Sequence, residues 1–144
     1  MKKAGLCAAA ILVSLAVAVP AQADKLKLRG SLIGVPTATV KMGVEKRHGD
    51  IKRVTSITFK RVPVNCADGT GGEIQGQLTG FGVRGKDFTR KGPIRGTGIN
   101  NGFLRVAGKF SRGGKVAKGN VRFSFQNNAG AGCGTDDVNW KARR

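Results

Sequence analysis

This sequence predicts an all-β domain: one antiparallel β-sandwich or flattened β-barrel of about seven or eight strands, stapled by one disulfide. Three observations lead there. Glycine supplies 22 of the 121 residues after position 23 (23 in the whole chain less Gly5), far above the usual share of about 7%. Almost no stretch spaces its apolar residues as a helix would; short alternation broken by turn signals recurs instead. Two cysteines, Cys66 and Cys133, stand far apart in the same segment.

The amino terminus sets the compartment. Lys2 and Lys3 precede an apolar run from Ala4 to Val19, followed by "PAQADK". These are the charged region, apolar region and A-x-A cleavage site of a secretory signal peptide over residues 1–23, with Ala21 and Ala23 at the small positions. A membrane anchor is the competing reading, but the run is short of the roughly 20 residues a span needs. Cys7 opens the apolar run instead of closing it, which argues against a lipoprotein cysteine. The expectation is a secreted or cell-envelope chain with no membrane span after cleavage, its residues 24–144 forming one domain. In that oxidising setting a Cys66–Cys133 disulfide is expected, worth roughly 4 kcal/mol by loop closure. Metal ligation and a reactive thiol lack support: no C-x-x-C occurs, and the single histidine, His48, is distant in sequence from both.

The elements follow in chain order. Leu26, Leu28 and Leu32 begin a first strand, and Val40, Met42 and Val44 mark a second. "EKRHGD" is a turn of ambiguous register. A third strand runs from about Ile51 to Cys66 with a fault in its phase: Ile57 and Phe59 share one face, yet Val62, Val64 and Cys66 have the opposite parity. One extra residue near Lys60-Arg61 explains the slip as a β-bulge, and Pro63 suits such a place. "ADGTGG" turns the chain into a glycine-spaced strand from Glu73 to about Val83. A long glycine- and lysine-rich connection then passes Phe88 and Pro93, and "INNG" reads as a turn into a hairpin spanning residues 103–125. After "NNAGAGCG", Val138, Trp140 and Ala142 share one face of the last strand.

"PVNCADGTGG", then "GKF", "VAKGNVRF" and "CGTDDVNWKARR", resemble a family of small, uncharacterised secreted bacterial proteins. Their pattern is Cys-x-Asp-Gly, a G-x-F strand, an A-x-G strand and a terminal Cys with W-x-A. The resemblance covers about Val40 to Arg144; "TDD" departs from the family's Ser-Gly after the second cysteine. It implies secretion and a β-rich fold, and it carries no activity to transfer.

Charge narrows the class of function. Lysine and arginine total 26 against 8 acids, for +18. Without Lys2 and Lys3 the balance is 24 minus 8, or +16, more than the roughly 2–8 units that solubility requires. Polyanions are attracted to such a surface. Folding the chain at Gly113-Gly114 as a two-residue type I′ turn pairs residues whose numbers sum to 227. Leu104 then faces Phe123, Val106 faces Val121, Gly108 faces Gly119 and Phe110 faces Ala117 on an inward side. Outward, Arg105 faces Arg122 and Lys109 faces Lys118, with Arg112 and Lys115 flanking the turn. Like charges directly opposite are destabilising. These six residues are the candidate anionic-ligand site; the plainer alternative is that their side chains splay into water.

Other motifs carry less. Gly80, Gly82 and Gly85 spell G-x-G-x-x-G, but no helix is expected after Gly85, and Asp87 stands where a phosphate-binding loop needs Ser or Thr. His48 lies in a charged turn, a poor place for a catalytic triad. Asp68, Glu73, Asp136 and Asp137 all lie within seven residues of a cysteine of the expected disulfide. They are weak candidates for Ca²⁺ ligands or a catalytic pair, against an Asx turn at Asp68 and salt bridges elsewhere. Trp140 and the phenylalanines at 59, 110, 123 and 125 follow core parity, so stacking platforms for sugars or bases are lacking.

The reading is a non-catalytic secreted binding module whose basic β-sheet face takes anionic envelope polymer, anionic lipid, extracellular nucleic acid or an acidic partner protein. It needs no cofactor. The alternatives are an enzyme or Ca²⁺-binding protein built on the acidic loops, and a structural envelope protein.

Overall fold

The computed structural model describes residues 22–144, and the expected signal peptide falls almost wholly outside them. Nine strands form: β1 Asp24–Leu32, β2 Val35–Arg47, β3 Asp50–Cys66, β4 Gly71–Gly82, β5 Asp87–Pro93, β6 Asn100–Phe110, β7 Val116–Gln126, β8 Gly132–Gly134 and β9 Val138–Arg143. The fold is all-β, as expected, and it is a barrel. β3, β2, β1, β9 and β7 lie side by side, and three-residue β8 bridges β7 back to β3, closing a six-stranded ring. β4 flanks the ring on the β3 side, and β6 with β5 flank it on the β7 side.

Turn chemistry sets the meander. His48 and Gly49 both adopt left-handed φ (51° and 84°) between paired Arg47 and Asp50. That two-residue loop with two positive φ values fixes the register that "EKRHGD" left open. His48 is an exposed turn residue.

β3 is 17 residues long and pairs with β2, β4 and β8. The expected bulge is there: pairing jumps from Phe59↔Gly76 to Val62↔Ile74, with Arg61 at φ 55°. Two further bulges on the β2 side, at Thr55 and at Lys52, escape the sequence reading. Each adds one residue and shifts the inward parity, so Ile51, Val54, Ile57, Phe59, Val62 and Val64 all point into the core. Pro63 sits where β2 pairing has ended at Lys60 and β8 pairing has not yet begun at Asn65, so its missing N–H costs the sheet little there.

Three expectations need correction. The stretch read as a long connection past Phe88 and Pro93 contains β5, which pairs with β6 from Asp87↔Lys109 to Pro93↔Phe103. It escaped notice because Phe88 is its only fully buried residue, and Arg90, Lys91, Gly92 and Pro93 are the residues that blunt a sheet edge. "INNG" is not the turn into the hairpin: the chain reverses between bridged Gly96 and Ile99, and Asn101 (φ 48°) is a bulge inside β6. The β6–β7 connection is also longer than a two-residue turn. Ser111 N–H donates to Val116 O, and Gly114 N–H donates to Ser111 O, closing a turn over Arg112 and Gly113. Gly113 and Gly114 do take left-handed φ (78° and 69°), and the register keeps the sum of 227.

The core fills the barrel. Trp140 and Phe59 are fully buried, with ring centroids 6.1 Å apart, and Phe123 meets Phe59 edge-on at 6.2 Å. One inward row reads Phe88, Gly108, Gly119, Trp140 across β5, β6, β7 and β9. A Cβ on Gly108 would lie 2.5 Å from the Phe88 ring and 2.9 Å from that of Trp140. Gly108 therefore makes room for the two aromatics, while a Cβ on Gly119 would run into the backbone of Ala107 and Gly108.

Candidate anion-binding face

Alternation sends every second side chain of each strand outward, and register then decides which outward residues become neighbours. The hairpin register is the expected one: Arg105 opposes Arg122 and Lys109 opposes Lys118, all four exposed. The sheet extends these pairs. Lys91 of β5 opposes Arg105, so Lys91, Arg105 and Arg122 form one line across three strands. Lys141 of β9 opposes Lys118, which makes Lys109, Lys118 and Lys141 a second line. On the other side of β9, Arg143, Arg29 and Lys41 form a third, across β9, β1 and β2. Neighbouring strands lie about 4.8 Å apart, so each line packs three cations at a spacing where like charges repel.

Little relieves them. Among the described residues there are two ion pairs, Lys52–Asp50 at 3.3 Å and Lys109–Asp87 at 3.7 Å, both exposed. Asp87 at the end of the second line is the one carboxylate joined to any of the three. Lys91 lies 4.0 Å from the centroid of the Phe103 ring, a cation–π contact.

Between the first two lines runs an uncharged one: Thr89, Ala107, Asn120 and Asn139, on β5, β6, β7 and β9. These residues, with Lys109, Lys118 and Asp87, line an open groove of about 480 Å³, with exposed Ile33 of the β1–β2 turn at its rim. The surface can thus offer ammonium groups along the edge of a mostly apolar trough that carries two Asn amides and a Thr hydroxyl.

Arg105, Lys109, Lys118 and Arg122 therefore fall together as the sequence indicated. Arg112 and Lys115 do not join them, because both lie in the five-residue β6–β7 connection and not on the sheet face. Lys91, Arg29, Lys41, Lys141 and Arg143 were missed. Lys91 was legible in principle, since β5–β6 pairs sum to 196, but only once β5 is recognised as a strand. Arg29 and Lys41 pair across the β1–β2 hairpin, whereas Lys141 and Arg143 depend on β9 entering between β1 and β7, which no local signal announces.

In the acidic loops, Asp68 makes structural hydrogen bonds beside the disulfide. Cys66 and Cys133 are bonded and directly paired, β3 to β8, so the disulfide ties the third strand to the ring-closing strand and not to the last one. Asp68 Oδ1 accepts from the Thr70 N–H and hydroxyl, and its Oδ2 accepts from Asn127 Nδ2 at 2.8 Å. The Thr70 hydroxyl first, then the Thr70 N–H and Asn127, hold the Asp68 carboxyl below the ordinary Asp range. This is the Asx-turn geometry, and it joins the β3–β4 loop to the β7–β8 loop. Glu73, Asp136 and Asp137 are exposed and belong to neither ion pair. No three His, Cys, Asp or Glu side chains gather as a metal site among the described residues. Nor is any helix among them long and apolar enough to cross a membrane. Gly80 and Gly82 lie in β4 and Gly85 in the turn after it, with β5 following, so the G-x-G-x-x-G has no helix to serve. No protein-family model, curated protein or solved structure matches this chain.

Proposed function

We propose that this protein is a secreted, non-catalytic binding module whose basic barrel face holds an anionic polymer or an acidic partner protein. The observation that carries the reading is the alignment of nine cations in three cross-strand lines, of which only Lys109 is ion-paired. Directly opposed like charges weaken a sheet, so solubility alone is a poor account of placing them in register. The disulfide and the signal-like amino terminus support export.

Replacing Arg105, Lys109, Lys118 and Arg122 with glutamine tests it. Heparin or DNA affinity should fall, its logarithm should depend less steeply on salt by up to about four contacts' worth, and stability should hold or rise. The control changes Lys52, Arg53, Arg84 and Lys86, which lie off the three lines. Equal loss in both variants would reduce the face to bulk charge.

A further inference from the structure

On the far side of β1 the barrel carries a second cation-walled groove, of about 450 Å³, whose lining contains four cations, three hydroxyls and no carboxylate. The cations are Lys25, Lys27, Arg29 and Lys41; the hydroxyls belong to Thr55, Ser56 and Thr58.

Three local features converge on one point. Gly43 of β2 has no side chain, so the outer surface is open at that position. Lys27 of β1 is its register partner on one side and Ser56 of β3 on the other. The bulge at Thr55 then adds an extra residue opposite the same glycine, since pairing steps from Gly43↔Ser56 to Val44↔Val54. A Cβ built on Gly43 would lie 2.5 Å from Thr55 Oγ1 and 3.3 Å from Ser56 Oγ. Two hydroxyls thus overhang the glycine, with an ammonium beside it. One step along the strands, Arg29, Lys41 and Thr58 form the next row. None of the three hydroxyls is engaged in a hydrogen bond among the described residues. In the row on the other side, Glu45 stands between Lys25 and Arg53, its own register neighbours.

We propose that this groove, which shares Arg29 and Lys41 with the third cation line but adds the β3 hydroxyls, is a distinct binding site for a tetrahedral oxyanion, a phosphate or sulfate group, seated over Gly43. Thr55 and Ser56 donate hydrogen bonds to its oxygens, while Lys27, Arg29 and Lys41 neutralise it. Charge-assisted bonds of this kind are the strong ones, and bulges commonly re-aim a side chain at a ligand. The site differs from the hairpin face in needing neutral donors as well as charge, and it can therefore be tested without altering net charge.

The test is a titration of the protein with sodium phosphate, sodium sulfate and sodium acetate at fixed ionic strength, read from backbone amide resonances. Phosphate or sulfate should saturably shift Gly43, Thr55 and Ser56, and whichever binds more tightly identifies the source chemistry. Thr55→Val with Ser56→Ala, and separately Gly43→Ala, should weaken that response about tenfold or more, as expected for losing bonds to a charged group. An unchanged Trp140 indole resonance certifies the fold in each variant. Lys27→Gln gives a second route if the β3 variants fail to fold. The four-glutamine hairpin variant should leave this response intact, so the two sites stand or fall separately. Equal shifts with acetate, shifts spread evenly over all cationic positions, or undiminished binding by the neutral variants would overturn the proposal.

Discussion

Trp140 is where sequence parity and packing meet most directly. Its ring lies 6.1 Å from Phe59 and 6.2 Å from Phe88, wholly out of water, and its Nε1–H has no hydrogen-bond partner among the described residues. Burial of the ring therefore outweighs an unmade hydrogen bond, whose loss costs about 1–3 kcal/mol. Trp140→Ala should destabilise by roughly 3–5 kcal/mol in denaturant unfolding. Trp140→Phe should cost much less, because it removes the orphan donor together with part of the ring. Fluorescence of the native protein should be blue-shifted and resist iodide. Asp68 supplies the pH prediction. Its carboxyl is held below the ordinary value in the folded state, so its contribution to stability is complete above the unfolded Asp pKa, about 3.9. That contribution disappears as pH falls through the lower, folded value. Carboxyl NMR should place the titration of Asp68 below the unfolded Asp value, and Asp68→Ala should abolish the acid sensitivity of the β3–β4 loop.

Among elements, β3 and β8 decide the architecture. Three bulges let one 17-residue strand bend around the ring while serving three partners. β8 has three residues, of which Cys133 alone is buried, so its own packing is slight. The Cys66–Cys133 bond, the Ala67 N–H to Gly132 O bond (2.9 Å) and the Asp68–Asn127 bond secure it instead. The bond closes a loop of sequence separation 67, for which chain entropy predicts about 4 kcal/mol. Cys66→Ala with Cys133→Ala should lose 2–4 kcal/mol, by roughly that argument. Amide exchange should accelerate first at Gly134 and Asn65, where the ring opens, while β1 and β2 stay protected. Uniform exchange would show that β8 is not held by the disulfide.

At the scale of the whole molecule, residues 24–144 carry +16 by the count of 24 cations and 8 acids, and nine cations are lined up in register. Self-repulsion of this kind weakens the compact state and is screened by salt, over about 8 Å at physiological ionic strength. The melting temperature should rise between about 10 mM and 150 mM sodium chloride. On the proposed function it should rise further with sulfate or heparin, which would bind the folded state. A melting temperature that falls with salt would mean that the ion pairs outweigh the repulsion.

The sequence by itself determined the all-β class, the third-strand bulge at Lys60-Arg61, the core placement of Trp140, the disulfide partners and the hairpin register. All of these rest on short-range alternation, turn glycines and cysteine count, which the chain writes locally. Tertiary structure alone decided that the sheet closes through β8, that the stretch from Asp87 to Pro93, with one buried side chain, makes an edge strand, and that β9 lies between β1 and β7. It thereby decided that Lys141 continues the hairpin's lysine pair, that Arg143, Arg29 and Lys41 align, and that Thr55 and Ser56 overhang Gly43. The physical reason is that neighbours across a sheet are chosen by which strands pair and in what register. For strands distant in sequence, that choice comes from burying one common core, not from any signal the strands carry themselves.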